Sequence, residues 1–106
     1  MNTLSTHVLD AVTGTPAVGV TVTLTDSSGH PVAAALTDDD GRVKTVAELA
    51  SGIYRLHFDT GSYFAAREIG AFYPEVVIAF EVTDETGHYH VPLLLSPYAY
   101  STYRGS

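Results

Sequence analysis

Residues 88–95, HYHVPLLL, alternate so that their side chains sort onto two faces. Successive side chains of a β-strand point to opposite sides. Tyr89, Val91, Leu93 and Leu95 therefore share one apolar face, and His88, His90, Pro92 and Leu94 share the other. Ser96-Pro97 reads as a tight turn, with 98–103 returning as a strand that carries Ser101 and Tyr103 on the histidine side. The same period of two runs through 4–10, where Leu4, Thr6 and Val8 oppose Ser5, His7 and Leu9, and through 18–25, 53–58 and 76–83. Residues 42–46 predict a short strand, and 32–37, VAAALT, a weaker one whose alanines suit close packing. Turn signals stand at 13–16, 26–31, 38–41 and 84–87, the last read as a hairpin turn; 47–51 reads as a short helical turn or loop. The period changes at 61–72: Ser62 as a cap and Tyr63, Ala66 and Ile69 at helical spacing predict one helix of about two turns, stopped by Tyr73-Pro74. About eight short strands and one helix, with turns at near-regular spacing, predict an all-β sandwich.

Composition narrows the reading. The 106 residues suit a single domain, 1–106, and 45% hydrophobic content suits a packed core. The chain has no cysteine, so disulfides and thiolate chemistry are out. A net charge of -7, with five Lys and Arg in all, argues against nucleic acid as a partner. No apolar run approaches the roughly 20 residues of a membrane helix, so no membrane partner is expected. MNTLSTHVLD lacks the charged and apolar regions of a signal peptide, which makes a cytoplasmic protein the expectation.

Three chemistries are open to these residues. His88 and His90, at alternate positions of one strand, could share a metal with His7, but no thiolate or acidic ligand stands at a metal-binding spacing, and no metal is expected. Asp38, Asp39 and Asp40 lack the twelve-residue calcium loop with its terminal glutamate and read as a turn. No G-x-S-x-G elbow marks a nucleophilic serine. A histidine base working with a cation that polarises a carbonyl is chemically open to His7 and His90, and Arg42 and Arg104 are two of the five Lys and Arg that could supply the charge. Periodicity alone leaves that reading beside a plainer one, in which both histidines are ordinary polar side chains on a solvated face.

The whole chain resembles the transthyretin-like family. The likeness runs from LSTHVLDAVTGTPA through TDDDGR, SGIYRLHFDTGSYF and FYPEVVIAF to HYHVPLLLSPYAYSTYRGS. LDAVTGTPA, GIY and LLSPYAYST look common to the carrier and hydrolase branches of that family; His7, Arg42 in the DGR turn, His90 and the terminal Tyr103-Arg104-Gly105-Ser106 mark the hydrolase branch. The resemblance implies a transthyretin-like sandwich of two four-stranded sheets with one short helix. It implies a homotetramer, a dimer of dimers, whose central channel holds the sites. It implies an enzyme of purine degradation that opens the ring of 5-hydroxyisourate by hydrolysis, without cofactor. His7 and His90 would deprotonate and orient water, and Arg42 would bind and polarise a carbonyl. Tyr103, Arg104 and Ser106 would close the pocket, with the Ser106 hydroxyl helping proton transfer. The competing readings are a small-molecule carrier with the same channel, and a prealbumin-like accessory module of a larger surface protein.

Overall fold

The computed structural model describes residues 2–83 and 87–106. Among the described residues, nine strands and one helix follow in order: β1 (Asn2–Asp10), β2 (Thr15–Pro16), β3 (Thr21–Asp26), β4 (Pro31–Leu36), β5 (Arg42–Leu49), β6 (Gly52–Phe58), α1 (Thr60–Ala65), β7 (Val76–Val82), β8 (His88–Leu95) and β9 (Tyr100–Thr102). They form two sheets. One runs β4-β3-β6-β7, antiparallel throughout. In the other, β8 lies between β9 and β1, and β1 pairs parallel with β8 over residues 3–10. The free edge of β1 is shared end to end by β5, which covers residues 2–7, and by the two-residue β2, which covers Leu9 and Asp10. Each sheet is thus four strands wide, as the expected sandwich requires.

The alternating faces close on one another to make the core. Leu4, Val8, Leu93 and Leu95 from one sheet and Val22, Leu24, Leu56 and Phe58 from the other are buried, and each such side chain contributes about 1.5–3 kcal/mol by leaving water. Tyr63 and Phe64 of α1 join the same cluster. The edge strand β4 is largely exposed, and Ala33 and Ala35 pack against the core.

Four local expectations differ from the structure. Residues 18–20 precede β3 rather than belonging to it, because Gly19 sits at φ 78° in a turn, with the Val20 N–H donating to the Thr37 hydroxyl. Residues 47–49 continue β5 instead of forming a helical turn; Ala47 pairs with Leu4 and Leu49 with Asn2, beyond an irregularity between Leu4 and Thr6. That bulge explains the misreading, since it spaces the buried Val43 and Val46 three apart and hides the period of two. The helix is shorter than expected, and its cap is Asp59, whose carboxylate accepts from the Ser62 N–H at 3.2 Å and the Ser62 hydroxyl at 2.8 Å. It closes early because Glu68 adopts φ 57° while Ile69 N–H donates to Phe64 O and Glu68 N–H to Ala65 O. Of the expected turn at 84–87, residues 84–86 lie outside the described residues; β7 pairs with β6 and β8 with β1 and β9, so these strands form no hairpin.

Candidate active site

The outward face of the second sheet collects the polar side chains that alternation sets aside. β1 contributes Thr3, Ser5 and His7, and β8 contributes His88 and His90. Parallel pairing places Thr3 beside His88, Ser5 beside His90 and His7 beside Pro92. Across the other edge of β1, Arg42 is the direct partner of His7. His7, Arg42 and His90, which lie far apart in the chain, thus meet on three adjacent strands.

The turn before Arg42 fixes its position. The Asp38 carboxylate accepts from the Asp40 N–H at 2.9 Å and the Arg42 N–H at 3.0 Å. The hydrogen bond from the Arg42 N–H, ahead of other causes, holds the Asp38 carboxyl below its usual range. Gly41 has φ 73°, and its carbonyl accepts from the Val8 N–H at 2.7 Å; a side chain there would run into the Val8 carbonyl. The aspartate cluster is therefore a turn that delivers Arg42 to β1.

His90 is half-buried and tightly held. Its Nδ1 lies 2.7 Å from the Ser5 hydroxyl, which is also 2.7 Å from Nε2 of His88. The His88 Nδ1 lies 2.6 Å from the Thr3 hydroxyl. The two imidazoles are nearly parallel, 18° between planes. Burial of the His90 ring, then the Arg42 charge, then His88 and His7, hold its pKa below the ordinary 6.5, and a hydrogen bond with the Ser5 backbone acts the other way. A neutral imidazole near a guanidinium can take a proton from water while the cation stabilises an oxyanion. Among the described residues no group of three or more His, Cys, Asp or Glu is arranged to hold a metal ion.

The C-terminal residues divide between the two faces. Gly105 bridges to His90 and donates its N–H to the His90 carbonyl at 2.8 Å. Tyr103 is exposed, and Ser106 is exposed beside Gly105. Arg104 points elsewhere: its guanidinium lies over the Tyr89 ring, 4.8 Å from the centroid, on the face of β8 opposite His90. There it borders a cavity of about 330 Å³ with Ile78, Phe80, Tyr89 and Tyr103, which His90 also lines. The geometry brings His7, Arg42 and His90 together and turns the Arg104 guanidinium to the Tyr89 ring. It also adds His88, which residue chemistry considered only as a metal ligand, and Ser5 and Thr3, which it did not single out; the alternation Thr3-x-Ser5-x-His7 was the available signal, and the parallel pairing that gives it meaning is not written in either segment.

Comparison with known proteins bears on the chain as a whole. The HIUase/Transthyretin family matches residues 4–105. The 5-hydroxyisourate hydrolase of Salmonella typhimurium is 46% identical over 111 residues, covering 99% of this chain and 82% of that protein. The structure of Klebsiella pneumoniae 5-hydroxyisourate hydrolase superposes with a TM-score of 0.91 at 43% identity, over 98% of this chain and 99% of that one. Transthyretin from Sparus aurata superposes with a TM-score of 0.89 at 33% identity, over 96% and 95%. The backbone is thus nearly as close to a transthyretin as to a hydrolase, and any distinction between them rests on side chains. Full-length similarity in sequence and in fold makes this chain a member of the HIUase/Transthyretin family.

Proposed function

We propose that this protein hydrolyses 5-hydroxyisourate to 2-oxo-4-hydroxy-4-carboxy-5-ureidoimidazoline, a step of urate degradation. The observation that carries this reading is the meeting of His7, Arg42 and His90 on one sheet face, in a chain 46% identical to a 5-hydroxyisourate hydrolase. Water attacks a ring amide carbonyl, His90 with His7 takes its proton, and that proton passes to the leaving ring nitrogen as the C–N bond breaks. Arg42 binds the carbonyl and stabilises the developing oxyanion, a task for which a forked guanidinium is better shaped than an ammonium. Tyr103, Arg104 and Ser106 close the pocket, with the Ser106 hydroxyl assisting proton transfer.

The same proposal includes a homotetramer, built as a dimer of dimers, and a cytoplasmic site of action. Exposed apolar side chains support assembly: Ile53, Val77, Tyr98 and Tyr100 lie on the surface, and β7 and β9 end the two sheets. No helix among the described residues is long and apolar enough to cross a membrane.

The test is a rate. Fresh 5-hydroxyisourate, made from urate with urate oxidase, is followed by its ultraviolet decay with and without the protein. Decay well above the blank, lost in Arg42→Ala, supports the reading. His90→Asn should lower kcat by roughly 10²–10⁴ with little change in KM. Decay equal to the blank, from folded protein, would sink the hydrolase in favour of ligand binding on the same face.

A further inference from the structure

The Thr3, His88, Ser5 and His90 side chains form a continuous line of three hydrogen bonds, 2.6, 2.7 and 2.7 Å long. Each is short enough to be made in full. The line obeys a counting rule. A neutral imidazole has one N–H and one lone pair, and a hydroxyl has one proton to give. If His88 carries its proton on Nδ1, it donates to Thr3, and its Nε2 must accept the Ser5 proton. Ser5 then has no proton left for His90, so His90 must donate from Nδ1. If His88 carries its proton on Nε2, it donates to Ser5, and Ser5 donates to Nδ1 of His90. With both rings neutral, the one other arrangement that fills all three bonds has both rings donating to Ser5, and it leaves the proton of that buried hydroxyl without a partner in the line. With the Ser5 proton spent within the line, the tautomers of the two histidines are locked to each other through one hydroxyl.

The two arrangements differ at the atom that matters. In the first, Nε2 of His90 is a bare lone pair; in the second it carries a proton. We infer that Ser5 and His88 are positioning residues for His90, selecting the Nδ1–H tautomer that leaves Nε2 free as a base. This rests on the reading of His90 as the base in the proposed reaction. The surroundings suit the role. Ser5 is buried at 7% exposure, so its hydroxyl depends on the imidazoles for partners, whereas the Thr3–His88 end is open to solvent, where Thr3 can orient its remaining proton outward. Gly105 packs against the His90 ring, so the ring is held by contact and by Nδ1 together.

The selection opposes the ordinary preference of neutral histidine in water for Nε2–H, which makes it measurable without turnover. Protein labelled with ¹⁵N at histidine is examined by two-bond proton–nitrogen correlation at about pH 8, above the ordinary histidine range. His88 and His90 are both expected as Nδ1–H. Ser5→Ala, and independently His88→Phe at its exposed position, should return His90 toward Nε2–H. Both should lower kcat roughly tenfold or more with KM within twofold, as a mispositioned base does. An Nε2–H ring at either histidine in the wild type would overturn the inference. So would an unchanged His90 tautomer in both variants, or kcat within twofold in both. If the tautomers respond as expected but the wild type turns over no 5-hydroxyisourate, the coupling stands and the hydrolase reading falls.

Discussion

Gly105 and His90 hold each other at contact distance. The Gly105 N–H donates to the His90 carbonyl at 2.8 Å, and a Cβ added at Gly105 would lie 2.5 Å from Cδ2 of the imidazole. The chain end is thus a wall against which the candidate base is set, and glycine is required there for close approach rather than for an unusual φ. Gly105→Ala should push the ring away from Ser5 and lower kcat roughly tenfold or more, with the unfolding midpoint little changed. Steady-state kinetics beside a thermal melt checks this. Unaltered kcat would mean that the ring is not set by the tail.

The lowered pKa of His90 fixes the sign of a pH effect. Its folded value lies below the ordinary 6.5, because burial, followed by Arg42, disfavours the charged ring. Between the two values the unfolded chain binds more protons, so stability rises with pH there. The His90 contribution is complete above 6.5 and is lost as pH falls through the folded value. Activity that needs neutral His90 should persist into the same acidic window. Arg42→Gln should move the His90 titration part of the way back up, since burial, the larger cause, remains. Proton NMR of the His90 ring against pH reads this directly, and a titration that moves down in the variant would contradict it.

Tyr63 ties α1 to the end of β1. Its hydroxyl donates to the Asp10 carboxylate at 2.9 Å, and the other carboxylate oxygen accepts from the Val12 N–H at 3.0 Å and the Thr13 N–H at 3.3 Å. Burial first, and the Asp10 carboxylate second, raise the Tyr63 pKa. Tyr63→Phe leaves the ring in place and strands one oxygen of a carboxylate that is 2% exposed, at a cost of about 1–3 kcal/mol. Urea denaturation measures the loss; a midpoint unchanged from the parent would show that water replaces the hydroxyl.

Glu68 at φ 57° stands where a helix end favours glycine. Its side chain is exposed. Glu68→Gly relieves the steric conflict of a left-handed residue, and the extra freedom of glycine when unfolded offsets part of the gain, leaving about 0.5–1 kcal/mol of stabilisation. Chemical denaturation checks the sign, and a less stable variant would assign Glu68 a contact that holds the turn.

Much of the site could be read before the fold was known. The two faces of 88–95 follow from local strand geometry, so His90 and Leu93 are sorted correctly by alternation alone. Arg42 and Arg104 stand out because the chain has only five Lys and Arg, and the family resemblance marks Arg42 in its DGR turn. The family could be recognised from LDAVTGTPA through to YRGS, with no knowledge of distances. All of these are properties of short segments, where the covalent chain itself keeps the residues in relation.

The remainder depends on which strands become neighbours, and that depends on burial across the whole molecule. β1 and β8 are 85 residues apart at the Ser5–His90 contact, and only their parallel register puts a hydroxyl between two imidazoles. A slip of one residue would carry Ser5 to the other face and break the line. The bulge in the β1–β5 pairing disguised the end of β5 for the same reason: it answers to the partner strand, not to its own sequence. Arg104 reads as a site residue by its chemistry, yet its guanidinium lies over Tyr89 on the inner side of β8, where an aromatic face offers it a partner. Alternation assigns a side chain to one of two faces; long-range packing chooses what that face meets.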